Sequence, residues 1–235
     1  MRFCLNCGQQ QDKRFCCNGS LTINLPVNVS INPRKLGIRT TEIKQDSVEA
    51  VTAFQCYHTV NDMEEITEYE FLGKLPNRFK MCAYGAAGSG KSTFSIGLAH
   101  KIASERGRVL YLSTEEGELS PTMQNKLKML RITSKDLLIM HSLDLEKVAK
   151  FIIQNNIPHL FIDSVSKAKF SNDDLNEMYD IIDGILYYVI YQQNTGIASG
   201  EIGLQYDCDI ILNVEDGVAK TEKNRFHCLD EHEIF

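Results

Sequence analysis

The chain has 235 residues, a formal net charge of −6, 43% hydrophobic and 24% charged residues. That length supports one good core with a small appendage, and the composition is ordinary for a globular protein. A surface that coats nucleic acid all over would be basic, so any such contact here has to be local or supplied by an assembly.

In chain order, the first twenty residues hold Cys4, Cys7, Cys16 and Cys17. Cys4-Leu5-Asn6-Cys7-Gly8 has the spacing of a zinc knuckle, whereas Cys16 and Cys17 are adjacent where a ribbon expects a second spaced pair. Two readings stand: a Zn²⁺ site of four thiolates, or a loop of reduced thiols. The N-terminus is not a secretory signal, and no apolar run reaches the length of a membrane span. The expectation is a cytoplasmic protein without a membrane partner. Residues 21–31 alternate apolar and polar side chains around Pro26, which predicts an interrupted strand. Residues 21–72 otherwise read as a linker, ending in a short helix over Asp62 to Phe71.

From residue 79 the pattern becomes strand–helix alternation, which predicts an α/β fold with a mostly parallel central sheet over residues 73–235. A short buried strand, Phe79 to Tyr84, runs into Gly85-Ala86-Ala87-Gly88-Ser89-Gly90-Lys91-Ser92, followed by Thr93 and a helix to Glu105. Strand, glycine loop and helix in that order make a P-loop. Its glycines let backbone N–H groups curl around phosphate oxygens, and the helix start adds partial positive charge. Lys91 supplies a cation for the β- and γ-phosphates of ATP, and Ser92 a hydroxyl for Mg²⁺. Further strands are predicted at Arg108–Ser113, Leu137–Met140, His159–Asp163, Ile185–Tyr191, Cys208–Val214 and Val218–Lys223. Helices are predicted over Thr122–Arg131, Glu146–Asn155 and Asp173–Gly184.

Two further acidic positions complete a site. Asp163 ends an apolar strand and is followed by Ser164, a Walker B arrangement that holds Mg²⁺. Glu115 and Glu116 follow the Arg108–Ser113 strand, and hydrolysis needs one carboxylate to orient water. Glu115 is expected at the end of a strand beside the P-loop strand. Other features read as structural. His100, His141 and His159 lie in or beside apolar elements, Cys82 and Cys208 behave as small hydrophobes, and Tyr187, Tyr188 and Tyr191 pack in a buried strand.

The P-loop, Leu110-Tyr111-Leu112-Ser113-Thr114-Glu115-Glu116 and Phe161-Ile162-Asp163-Ser164 resemble the RecA-type ATPase core, and more narrowly bacterial RadA (Sms), a DNA repair and recombination family. Lys223-Asn224-Arg225-Phe226 resembles that family's Lys-Asn-Arg-Phe-Gly mark, with His227 in place of the glycine. The Thr195–Gly200 loop resembles its Gly-x-Ile-Ala-Gly loop, and the Cys cluster its four-Cys ribbon in part. The resemblance implies that Glu115 orients water and that Gln192 senses the γ-phosphate. It implies that Lys223 and Arg225 reach a neighbouring subunit's nucleotide or DNA. Single-stranded DNA and a homo-oligomeric ring are the partners it implies. Gly200-Glu201-Ile202 departs from the family's Gly-Pro-Arg, and its Lon-protease-like domain has no counterpart in these 235 residues. Two functions follow: a DNA-stimulated ATPase, or a nucleotide-dependent regulatory switch of the same fold.

Overall fold

The computed structural model describes residues 51–59, 62–191 and 203–234, with the backbone of three short strands before them. The chain divides into two compact units, Met1–Asn61 and Asp62–Phe235. In the first, β1 (Arg2–Cys4), β2 (Phe15–Cys16) and β3 (Ser20–Asn24) form an antiparallel sheet with β3 in the middle. The side chains of Cys4, Cys7, Cys16 and Cys17 lie outside the described residues. The unit ends in α1 (Ala53–His58), started by a capping box in which Thr52 and Gln55 satisfy each other's backbone N–H.

The second unit starts at Asp62, so residues 62–72 belong to a packed core rather than to a linker: Ile66 and Leu72 are fully buried. Nor do they form a helix. Instead β4 (Met63–Glu64) pairs with β5 (Leu75–Pro76), and a single 3-10 turn spans Glu70–Leu72. The backbone bonds here run three residues back, Tyr69 N to Ile66 O and Leu72 N to Tyr69 O, and Glu68 takes φ 70°. A left-handed residue between them stops an α-helix from propagating.

The remaining elements are β6 (Lys80–Gly85), α2 (Lys91–Glu105), β7 (Val109–Ser113), α3 (Pro121–Met129), β8 (Leu137–His141), α4 (Leu145–Asn155) and β9 (His159–Asp163). Then come α5 (Val165–Ala168), α6 (Asn172–Ile181), β10 (Leu186–Tyr191), α7 (Gly203–Tyr206), β11 (Ile210–Glu215), β12 (Val218–Asn224) and β13 (Glu231–Glu233). Among the described residues the central sheet has eight strands in the order β13-β12-β11-β6-β10-β9-β7-β8. The strands from β11 to β8 in that order run parallel, while β12 and β13 add an antiparallel edge.

The sheet is buried on both faces, which is why β6, β7, β9 and β10 read as continuous apolar runs rather than alternations. One face packs Met81, Ala83, Tyr111, Phe161 and Tyr187 against Phe94 and Ile102 of α2 and Met123 of α3. The other packs Cys82, Leu110, Ile162 and Tyr188 against Val148 and Ile152 of α4 and Met178 of α6. Ser120, Asp144 and Ser171 cap the starts of α3, α4 and α6.

The strand carrying Glu115 is not beside the P-loop strand: β10 and β9 separate β7 from β6. Sequence order gives strands but not their neighbours, and the crossover connections insert the later strands between the earlier ones.

Candidate functional site

Parallel strands end together, so the segments following β6, β7 and β9 meet the end of β10 at one edge of the sheet. That is where ligands sit in open α/β sheets. The loop after β6 starts at Gly85, where a Cβ would lie 2.0 Å from Val214 O on β11, so only glycine lets the two strands close here. Its tip, Ala86, Ala87 and Gly88, is exposed, while Ser89 is buried and its carbonyl accepts from Gly217 N at 3.2 Å. Gly90 caps α2 at φ 106°, a conformation that costs an L side chain dearly. Ser92 and Thr93 follow in the first turn, half-buried.

Lys91 is only 5% exposed. Its ammonium donates to Ala86 O at 2.5 Å and lies 5.1 Å from the centre of the Tyr191 ring. Burial lowers its pKa, and the negative charges of Asp163 and Glu115 oppose that shift. The lysine is therefore curled over its own loop, with two carboxylates near enough to be felt.

Asp163, at the end of β9, is also buried. The Tyr111 phenol donates to its Oδ2 at 2.8 Å, and the nearby Ser92 hydroxyl favours its ionised form. Burial raises its pKa, and these two hydroxyls partly offset the rise. The peptide bond from Asp163 to Ser164 is cis. Ser92 and Asp163 thus bring hard oxygen donors together at the start of α2, a donor set that fits Mg²⁺.

Glu115 reaches this edge although β7 is two strands removed from β10's far neighbour β6. Thr114 N donates to Asp163 O at 2.8 Å, Ser164 N donates to Thr114 Oγ1 at 2.8 Å, and Thr114 Oγ1 donates to Ser164 O at 2.9 Å. These three bonds lock the ends of β7 and β9. Glu115 is exposed, and Ser164 Oγ donates to its Oε1 at 3.1 Å. Glu116 differs: its Oε1 pairs with Lys126 at 3.0 Å on α3. Of the two acids, Glu115 is the one presented at the sheet edge.

Residues 68–198 match the AAA domain family, more than half the chain and all of the site just described. The chain belongs to that family. The AAA domain here also resembles the crystal structure of the flagellar accessory protein FlaH from Methanocaldococcus jannaschii. The TM-score is 0.50 at 16% identity, over 70% of this chain and 88% of that one. At that identity the likeness speaks for the fold alone, an α/β arrangement in which β10 stands between the P-loop strand and the Asp163 strand. No curated protein sequence matches the chain.

Within this AAA domain, Lys91, Ser92, Asp163 and Glu115 come together at one edge of the sheet. Gln192 and the Thr195–Gly200 loop lie outside the described residues. Lys223 and Arg225 are elsewhere. The Gly217 end of β12 touches the P-loop, whereas Asn224 pairs with Ile210 at the opposite end. The intervening strand spans about 20 Å at about 3.3 Å per residue. Neither cation reaches the P-loop of its own chain. Lys223 donates to Tyr206 O at 3.1 Å, and Arg225 pairs with Asp209 at 2.9 Å.

Sequence reasoning missed Tyr111, Thr114 and Ser164, which hold the acids, and it took Tyr191 for packing. Tyr187 and Tyr188 do pack, fully buried. Tyr191 is half-buried at the strand end, over Lys91. Its place at the end of a strand leading into the site was the available signal. Among the described residues no helix is long and apolar enough to cross a membrane, and no group of three or more His, Cys, Asp or Glu forms a metal site.

Proposed function

We propose that this protein is a Mg²⁺-dependent ATPase that works as an oligomer and couples turnover to single-stranded DNA. The observation that carries the ATPase reading is the meeting of Lys91, Ser92, Asp163 and Glu115 at one sheet edge in a chain of the AAA domain family. The loop N–H groups and Lys91 bind the phosphates, and the start of α2 adds its partial charge. Ser92 and Asp163 would hold Mg²⁺, which when bound would supply positive charge against the phosphates. Glu115, steered by Ser164, orients the attacking water.

The oligomer and DNA parts draw support from the likeness to the RadA family and from the position of Lys223 and Arg225. Lying far from their own P-loop, they would have to leave Tyr206 O and Asp209 to serve a neighbour's, where a cation supplied in trans stabilises charge on a transferring phosphoryl group. A second reading, a nucleotide-dependent switch without a DNA motor, is favoured by two observations. Arg225 is already paired with Asp209, and the chain carries a net charge of −6.

Steady-state ATP hydrolysis with and without single-stranded DNA separates them, using the wild type, Lys91→Ala and Lys223→Ala. Stimulation by DNA that is lost in both variants supports the coupled ATPase. Turnover indifferent to DNA and lost only in Lys91→Ala leaves the switch.

A further inference from the structure

The turn between β11 and β12 leans on the P-loop, and β13 holds that turn. Asp216 and Gly217 form a two-residue hairpin at φ 48° and 79°, the doubly left-handed turn that matches the twist of paired strands. Gly217 N donates to the carbonyl of Ser89, inside the loop, at 3.2 Å, and Gly217 O accepts from Ile234 N at 2.7 Å. β13 reaches the same loop by a second route. Opposite Ala219 of β12, the His232 ring stacks on Phe71 at 5.1 Å and meets Phe94 edge-on at 6.2 Å. Phe94 lies in the first turn of α2, and its N–H donates to Gly90 O at 2.9 Å. β13 itself has few anchors. Asp230 O fixes its start on Thr221 N at 2.9 Å, and beyond that point only a three-residue edge ladder, the His232 ring and Ile234 hold it. Glu231 and Glu233 are exposed, and an exposed ion pair such as Lys220–Glu231 contributes little. A short edge strand of this kind opens more readily than the domain unfolds.

We propose that β13 is a strap that sets nucleotide affinity: docked, it holds the Gly217 turn on Ser89 and the His232 ring on the start of α2, and released, it leaves the loop looser. This rests on the reading of the loop as a nucleotide site, though not on hydrolysis. A P-loop grips phosphate with backbone N–H groups, so its affinity depends on having those groups fixed before the ligand arrives. A strand that ties both the loop and the first turn of its helix supplies that fixing. Coupling of this kind is reciprocal. The factor by which docked β13 tightens nucleotide binding is the factor by which bound nucleotide tightens the docking of β13.

The test is amide hydrogen exchange of residues 231–234 in the wild type with and without saturating ADP, beside the Kd for ADP in the wild type, His232→Ala, Ile234→Pro and Ser171→Ala. Ile234→Pro deletes the N–H that Gly217 O accepts, and His232→Ala removes the stacked ring. Ser171→Ala weakens the cap of α6, on the other face of the sheet, and controls for a general loss of stability. ADP should slow exchange of residues 231–234 by about tenfold, within the usual range of coupling between sites. The Kd for ADP should rise in His232→Ala and Ile234→Pro by up to that same factor. In Ser171→Ala it should stay within about twofold of wild type, as independent sites do. Exchange indifferent to ADP would overturn the proposal, as would wild-type ADP affinity in both strap variants or an equal rise in Ser171→Ala. The exchange measurement needs no variant, so it decides even where a substitution unfolds the chain. A wild type that binds no ADP would overturn the nucleotide reading itself, an outcome distinct from the others because each of those requires binding.

Discussion

Burial of Asp163 raises its pKa, and that settles the sign of its effect on stability. The folded state holds the proton more tightly than the unfolded chain, where an aspartate titrates near about 3.9. Stability is therefore lost as pH rises from there through the raised folded value, and at neutral pH the ionised carboxylate is a cost. Asp163→Asn keeps an acceptor for the Tyr111 phenol and removes that cost. Thermal unfolding in the absence of nucleotide should show a higher melting temperature than wild type. Magnesium-dependent hydrolysis should fall by about two orders of magnitude or more, as expected when a group that stabilises transition-state charge is lost. An unchanged or lower melting temperature would mean that the burial of Asp163 is fully compensated. At this scale the sequence was informative where spacing is rigid. Gly85, Gly90, Lys91 and Ser92 are fixed by the geometry of wrapping a phosphate. Tyr111 and Tyr191 were hidden because a tyrosine in a strand normally packs, as Tyr187 and Tyr188 do here.

At the scale of elements, the site depends on the ends of strands and helices. Gly85 is the point where the P-loop leaves β6 beneath Val214 O. Gly85→Ala forces β6 and β11 apart and should destabilise the domain by about 1–3 kcal/mol, the usual cost of overpacking. Denaturant unfolding would reveal it, together with weaker nucleotide binding. A different weakness lies at the start of α6, where Ser171 and Asp174 form a capping box. Ser171→Ala should cost about 1 kcal/mol. That corresponds to a melting temperature lower by about 2–4 °C in a domain of this size. Turnover at 25 °C should not change. Element type was legible from periodicity over β6 to α4, because buried parallel strands and capped amphipathic helices leave strong patterns. Two things were not. Residues 62–72 have apolar spacing close to helical, yet the left-handed Glu68 turns them into strand and 3-10 turn. The neighbours of β7 depend on crossovers, which no local pattern encodes.

Across the whole molecule, the end of the sheet opposite the P-loop is tied by His159 and Arg106. Ile185 N donates to His159 Nδ1 at 3.0 Å, so this nitrogen must be unprotonated, and Nε2–H donates to Arg106 O at 3.1 Å. The Arg106 guanidinium in turn donates to Pro76 O at 3.0 Å and Glu64 O at 2.6 Å. Burial lowers the His159 pKa, in keeping with a ring that both bonds require to be neutral. The unfolded chain binds this proton near pH 6.5 and the native state only at lower pH, so stability falls as pH drops below about 6.5. His232, also lowered by burial, adds a slope of the same sign. Urea midpoints between pH 7.5 and 5.5 should decline on acidification, and His159→Gln should flatten the decline while lowering stability overall. An equal slope in that variant would place the effect elsewhere.

The proposed ATPase makes one demand above the others: Glu115 must act on water while Lys91 and the loop hold the nucleotide. The most direct measurement compares ATP turnover and ATP affinity in wild type and Glu115→Gln. Loss of turnover by about 100-fold or more, the usual contribution of a positioned base, with ATP affinity retained, is the predicted result. Wild-type turnover in Glu115→Gln would contradict the assignment of this edge of the sheet as a hydrolytic site built on that carboxylate.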